Sequence, residues 1–160
     1  MPDVLQYTTF NVFIEVPRGS FLKRGWSGKV DFVSPFPCPF NYGSIPEYIG
    51  GEGDFLDAVV LGSRLPRGKI VSVAARGAIG LTDRGMYDDK LICYDRPIHN
   101  WQKFLIVFFF HFYGLCKRLL NLYRGQSGPT YCNGWGNVTD AINRAQPLEG
   151  SAGHAPKISF

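Results

Sequence analysis

The chain has little of what marks most specialised architectures. Its four cysteines, Cys38, Cys93, Cys116 and Cys132, form no CxxC pair and no zinc-type spacing with the three histidines. In 160 residues that sparsity argues against a disulfide framework and predicts reduced thiols in a cytoplasmic protein. No block of like charges occurs, and the net charge of +4 is small and scattered. Such a balance tolerates an anionic ligand but gives no support to nucleic-acid binding. The opening MPDVLQYTTF has no basic start followed by an apolar stretch, so no secretory signal is expected. The most apolar run, FLIVFFFHFYGL at 104–115, falls short of the roughly 20 residues a bilayer span needs. A buried helix, and no membrane association, is the expectation.

What is present points to a strand-rich globule. Hydrophobic residues make up 45%, with 19 Gly and 11 Pro, and the length suits one domain with a real core. Phe10, Val12, Ile14 and Val16 alternate along one face of a strand, which turns Glu15 away from the main apolar side. Further strands are expected at 28–33, 56–62, 69–75, 77–83 and 90–95. Residues 35–43 read as a proline-stiffened loop, and SRLPRG as the turn joining 56–62 to 69–75. A helix is predicted from Asn100 to Lys117 or a little beyond. After a Gly-rich loop, a short one follows in VTDAINRA, capped by Asn137 or Thr139. No repeat or linker interrupts the pattern, so residues 1–146 form a single α+β domain and 147–160 a mobile tail.

Two acidic groups stand at strand ends: Glu52, Asp54 and Asp57, then Asp83 and Asp88 with Lys90 behind them. Like charges about 4 Å apart repel by roughly 4 kcal/mol at an effective dielectric near 20, so such a cluster implies an expected cation. Oxygen donors without an organised Cys or His set suit a hard ion, Mg²⁺ or Mn²⁺. Magnesium shares its shell with substrate phosphates, which makes phosphoryl transfer the natural chemistry, with lysines and a tyrosine on the phosphate oxygens. Acidic turns between strands are also commonly just solvated, and either group alone would read that way.

The segments IEVPRGSFLKR, PFNYGSIPEYIGGEGDFLDAVVLG, GAIGLTDRGMYDDKLIC, FFFHFYGLCK and GWGNVTDAINRA, in that order, resemble the soluble family I inorganic pyrophosphatases. EGDFLD is similar to the family's signature Asp-x-Asp-Pro-x-Asp. The resemblance implies a small closed five-stranded β-barrel, OB-like, flanked by helices. It implies magnesium-dependent hydrolysis of pyrophosphate to two phosphates by a metal-bridged hydroxide, with Mn²⁺ as a substitute, and a homo-oligomer, hexamer or trimer. By position, Glu52, Asp57 and Asp88 would hold the first metal, and Asp57 would help with a second. Asp54 would orient or deprotonate the attacking water. Asp83 with Asp88 would hold a substrate-borne metal, and Glu15 would steady an outer ion through water. Lys23, Tyr42, Lys90 and Lys117 would bind the phosphates.

The chain departs from the pattern at named places. Glu52 replaces the first signature aspartate and Phe55 the usual proline. Gly25 stands for a second glutamate, Phe32 for a phosphate-binding arginine, and Cys38 and Cys116 for tyrosines. Losses of charge-assisted hydrogen bonds, each worth roughly 1.5–3 kcal/mol, suggest reduced activity. They leave open a phosphohydrolase with a shifted substrate, or a non-catalytic relative binding metal or phosphate. Arg18 and Arg24 read as solvated strand-end residues. Cys38 and Cys116 read as buried fillers, His111 as a hydrogen-bonded packing residue, and Trp135 with Phe108–Phe110 as core.

Overall fold

Alternation carries the first strand as expected: Phe10, Val12 and Ile14 are buried while Thr9 and Asn11 face solvent. The structure, a computed structural model, describes residues 8–24, 30–33, 37–51 and 53–147. For 22–24, 30–33 and 146–147 the description is of the backbone. Chain order is β1 (Thr9–Val16), β2 (Leu22–Arg24), β3 (Val30–Val33), β4 (Asn41–Ile49), β5 (Phe55–Val60) and β6 (Ile70–Asp83). There follow β7 (Met86–Tyr87), β8 (Lys90–Cys93), α1 (Asn100–Tyr123), β9 (Tyr131–Gly136), α2 (Val138–Arg144) and β10 (Gln146–Pro147).

The sheet closes on itself. β1 pairs with β4, β4 with β5, β5 runs parallel to β8, β8 pairs with β6, and β6 returns to β1. This is the expected five-stranded barrel, and closure removes the unpaired edges that an open sheet would expose. Alternate residues from all five strands, among them Val12, Ile45, Leu56, Val73 and Leu91, pack together, with Val138 and Ala141 of α2 joining them. The opposite pleat of the same strands supplies Tyr42, Val59, Ile79, Leu81 and Ile92, which pack against Ile106 and Phe110 of α1. A bulge between Ile14 and Val16 moves Val16 onto this second side, correcting the expectation that it shares the face of Ile14.

Several local expectations change. The loop expected at 35–43 gives way at Asn41 to β4. The segments 69–75 and 77–83 are one strand, bent by a register shift between Ala75 and Gly77. β5 and β6 are not neighbours across SRLPRG; β8 lies between them. Part of the Gly-rich stretch is β9, paired with β6. Gln146 and Pro147 pair with β4, so Pro147 belongs to the sheet and not to the expected tail, whose remaining residues lie outside those described.

The larger correction concerns α1. Its start is set by His99, whose backbone N–H donates to Gln102 Oε1 at 2.8 Å. It ends where Gly125 takes a left-handed φ of 67° and donates to the Leu122 carbonyl. The helix therefore runs beyond Lys117 and is, by length and composition alone, long and apolar enough to cross a membrane. Only Ile106, Phe110 and Gly114 are buried along it. Phe108, His111 and Cys116 are exposed, and Phe109 and Cys38 are half-buried, so none of these five is the buried packing residue expected. Trp135 is half-buried against the second cluster, with Lys103 Nζ 5.2 Å from its ring centroid. All four cysteines are free.

Candidate active site

The barrel topology sets the site residues side by side. Asp57 in β5 and Lys90 in β8 are register partners in the parallel pair, and Ser44 in β4 is the partner of Asp57 on its other side. Paired residues share a pleat direction, so Ser44, Asp57 and Lys90 project from one side of the sheet, the side that α1 covers. Asp83 closes β6, and the turn to β7 is made by Arg84 and Gly85, both with positive φ (53° and 81°). A two-residue hairpin demands that conformation. The turn brings Asp88 back beside Leu81, whose carbonyl accepts from the Asp88 backbone N–H at 2.8 Å.

Two lysines tie the three aspartates together. Lys90 Nζ lies 2.5 Å from Asp57 Oδ2 and 2.6 Å from Asp88 Oδ1. Lys117, delivered from α1, donates to Asp83 Oδ2 at 2.8 Å and to Asp88 Oδ2 at 3.0 Å. Asp88 is thus bonded at both oxygens to two different cations. Lys90 is 1% exposed, and burial of an ammonium opposes its charge. The adjoining Asp57 and Asp88 carboxylates outweigh that burial and hold its pKa well above the ordinary lysine range. Tyr42 stands over the same pair, its ring centroid 5.7 Å from Lys90 Nζ. Burial first, then the charge of Asp57, pushes its phenol well above the usual tyrosine value, so it stays a neutral hydrogen-bonding group.

The NYG motif does three separate jobs. Asn41 is a buried pin: its Oδ1 accepts from the Arg18 and Leu65 backbones, and its Nδ2 donates to the Val60 and Ser63 carbonyls. Tyr42 lines the site. Gly43 permits close approach, because a Cβ there would stand 2.0 Å from the Phe13 carbonyl oxygen. Arg18 is exposed and bonds the Gly62 carbonyl at 3.1 Å, as a solvated strand-end arginine should.

The remaining expected residues are dispersed. Glu15 is buried and accepts from Ser44 Oγ at 3.0 Å, next to the strand position of Asp57. Asp54 is exposed in the turn before β5 and takes no part in the ion-pair network among the described residues. Glu52, Gly25 and the side chains of Lys23, Arg24 and Phe32 lie outside the described residues.

Sequence reasoning missed Asn121 and Thr130. Asn121 Nδ2 donates to Asp83 Oδ1 at 2.9 Å and to Thr130 Oγ1 at 3.0 Å, and Thr130 Oγ1 reaches the same Asp83 oxygen at 3.2 Å. One signal existed for Asn121: it follows Lys117 by four residues and so shares its helix face. It also missed the buried Asp89, paired with Arg144 Nε of α2 at 2.9 Å and bonded to the Leu81 N–H. The Arg144 guanidinium stacks 3.7 Å from the Tyr87 ring centroid, so α2 braces the turn that carries Asp88.

The donor chemistry suits a divalent ion at part of this site. Asp57 and Asp88 aim hard carboxylate oxygens at one shared cationic point, occupied by Lys90. Asp83 differs, since both its oxygens are already bonded by Lys117, Asn121 and Thr130. Among the described residues no three acids, histidines or cysteines are grouped to hold a metal by themselves.

Comparison with known proteins gives the family and the fold. The inorganic pyrophosphatase family profile matches residues 12–105. The chain belongs to the inorganic pyrophosphatase family. The inorganic pyrophosphatase of Haemophilus influenzae is 32% identical over 152 residues, spanning 82% of each chain. The Thermus thermophilus inorganic pyrophosphatase structure matches with a TM-score of 0.67 at 26% identity, over 89% of this chain and 87% of that one. The fold of the Neisseria gonorrhoeae inorganic pyrophosphatase matches with a TM-score of 0.67 at 24% identity, over 90% and 95% of the two chains. The family match stops within the first turns of α1, so Lys117 and Asn121 come from a part of the helix beyond it.

Proposed function

We propose that this member of the inorganic pyrophosphatase family hydrolyses inorganic pyrophosphate to two phosphates with Mg²⁺, or Mn²⁺ in its place. One observation carries the reading: carboxylates from β5, the end of β6 and the β7–β8 turn meet two lysines, one from the barrel and one from α1. A bound divalent ion would supply Lewis-acid charge stabilisation and lower the pKa of water. Asp57 and Asp88 would hold it, with Glu52 as the longer ligand, Glu15 in outer contact and Asp83 in support.

Lys90 and Lys117 exchange their aspartate partners for phosphate oxygens when substrate enters. Their fixed charge then opposes the negative charge that builds on the leaving phosphate, where preorganised donors count most. Tyr42, kept neutral, donates its phenolic proton to a phosphate oxygen, and Lys23 adds a further cation. Asp54, accessible to solvent three residues before Asp57, orients or deprotonates the attacking water. Because Lys117 and Asn121 bond Asp83 from α1, the helix serves this reading as a wall of the site rather than as a bilayer span. The enzyme works in the cytoplasm as a homo-oligomer, hexamer or trimer, on a small-molecule substrate with no nucleic acid.

Phosphate release is to be measured from pyrophosphate, nucleoside triphosphates and sugar phosphates, each with and without Mg²⁺. Pyrophosphate is expected to be fastest and to depend on the ion. A faster ester or nucleotide would make this a shifted phosphohydrolase, and a folded, inert chain would make it a binding relative.

A further inference from the structure

The ion pair of Asp89 and Arg144 has no role in the hydrolytic reading, although it adjoins the turn on which that reading depends. Asp89 is buried, and burying a carboxylate costs free energy unless new partners replace its water. Two do so here: the Leu81 N–H donates to Oδ1 at 3.1 Å, and Arg144 Nε lies 2.9 Å from Oδ2. Asp88, the residue before it, bonds Lys90 and Lys117 instead. Two neighbouring carboxylates thus tie one short segment both to α2 and to the site.

Arg144 is held there by charge and stacking. Its Nη2 is shut away from water and has no hydrogen-bond partner among the described residues. A buried donor left in that state is destabilising. The Asp89 charge offsets it, together with the Tyr87 ring, whose centroid is 3.7 Å from Cζ. Both lie within 87–89, so the guanidinium is accommodated only while that segment keeps its place.

The same segment makes a second contact. A Cβ on Gly51 would stand 2.5 Å from the Tyr87 carbonyl oxygen and 2.8 Å from Tyr87 Cβ, so the two backbones touch. Gly51 belongs to a tight turn in which the Gly53 N–H donates to the Gly50 carbonyl at 3.0 Å. The Gly50 N–H closes it by donating to the Asp54 carbonyl at 2.7 Å. In sequence this turn carries Glu52 and Asp54, and it leads directly into β5 and Asp57. Tyr87 therefore links Arg144 to the first acidic group, while Asp89 links it to Asp88 of the second.

We propose that Arg144 is a positioning residue: through Asp89 and Tyr87 it fixes the two acidic groups relative to each other, and so sets the affinity of the site for a divalent ion. The proposal deepens the hydrolytic reading and rests on its assignment of the ion to Asp57 and Asp88. Phosphate release decides that reading, whereas ion affinity without substrate decides this one. A wild type that binds the ion but releases no phosphate would sink the first alone.

The test is Mn²⁺ binding to the full chain by titration calorimetry, with no substrate present. Arg144→Ala is expected to weaken binding at least about tenfold, as when a partner behind a metal ligand is removed. Exchange of the Gly50 and Asp88 backbone N–H groups is expected to quicken in the same variant. Arg144→Lys keeps the charge but not the planar stack, so it is expected to lose part of the affinity. This milder change covers the case in which Arg144→Ala fails to fold. Tyr87→Phe keeps the ring and is expected to bind as wild type does, whereas Tyr87→Ala is expected to match Arg144→Ala. Ile142→Ala removes core packing from the same helix and is expected to leave ion affinity unchanged. Wild-type affinity in either Arg144 variant would overturn the proposal. So would an equal loss in Ile142→Ala, which would make the effect one of stability alone. A wild type that binds no Mn²⁺ would overturn both readings.

Discussion

Along α1, Ile106, Phe110, Gly114, Lys117 and Asn121 turn toward the barrel, while Trp101, Phe108, Leu115 and Leu122 turn away from it. Both faces are rich in large apolar side chains, so hydrophobicity does not say which one a chain will bury. What separates them is how each stripe continues. The inward one runs at steps of four, four, three and four and ends in Lys117 and Asn121, which bond Asp83. The outward one keeps to four and three throughout. Burial here follows the few residues with specific bonds to make, and the apolar remainder faces outward.

That contrast can be broken, and the largest effect belongs to the inner side. Lys90→Ala would leave Asp57 and Asp88 without their shared cation inside the fold. Removing one partner of a buried pair costs about 3–5 kcal/mol, so urea unfolding should show a loss of that order. A loss below about 1 kcal/mol would mean that the acids are not held by Lys90. Phe110→Ala, which opens a cavity under α1, should cost about 3–5 kcal/mol. Phe108→Ala, on the outer face, should stay within about 0.5 kcal/mol in samples dilute enough to be monomeric. Equal costs would erase the distinction between the faces. Asn121→Ala should cost about 1 kcal/mol by removing one hydrogen bond from Asp83 while Lys117 and Thr130 remain, with pyrophosphate turnover reduced less than by Lys117→Ala.

The thiols extend the same comparison without any change in stability. Cys116 is exposed on the outer side of α1, whereas Cys93 is buried in the barrel and burial pushes its thiol up to about 12. Iodoacetamide at pH 9 should modify Cys116 first and Cys93 last; early labelling of Cys93 would contradict its placement. The pH dependence has a definite sign. Lys90, Tyr42 and Cys93 all bind their protons more tightly folded than unfolded. Their contributions are therefore complete below the unfolded values and are lost as pH rises through the folded ones. Through these three groups stability should decline on the alkaline side, from about pH 9 upward.

How much of this was legible in the amino-acid order depends on how local the signal is. Asp57, Asp83, Asp88 and Lys90 could be singled out because their spacing marks them, and Lys117 only through the family resemblance; the structure gathers all five. β1 and the start of α1 were legible from periodicity. β4 was not, because Pro46 interrupts it and its first five residues are all buried, which leaves no alternation to read. The insertion of β8 between β5 and β6 was not either, since a parallel neighbour leaves no turn signal. The outward face of α1 was illegible for a different reason: an exposed seam and a buried one have the same composition, and only the fold assigns one to water. Asn121 was within reach of helical spacing. Thr130 and the Asp89–Arg144 pair were not, being joined through contacts far apart in the chain.

Asp57 and Asp88, bridged by Lys90 and backed by Lys117, form in the proposed function a pyrophosphate site that works with a divalent ion. It is tested most directly by phosphate release from pyrophosphate across a Mg²⁺ titration, comparing wild type with Asp57→Asn. The account predicts ion-dependent turnover in the wild type and a loss of about 10²-fold or more in a variant that remains folded. A folded wild type inert with both Mg²⁺ and Mn²⁺, or an Asp57→Asn variant as active as its parent, would contradict it.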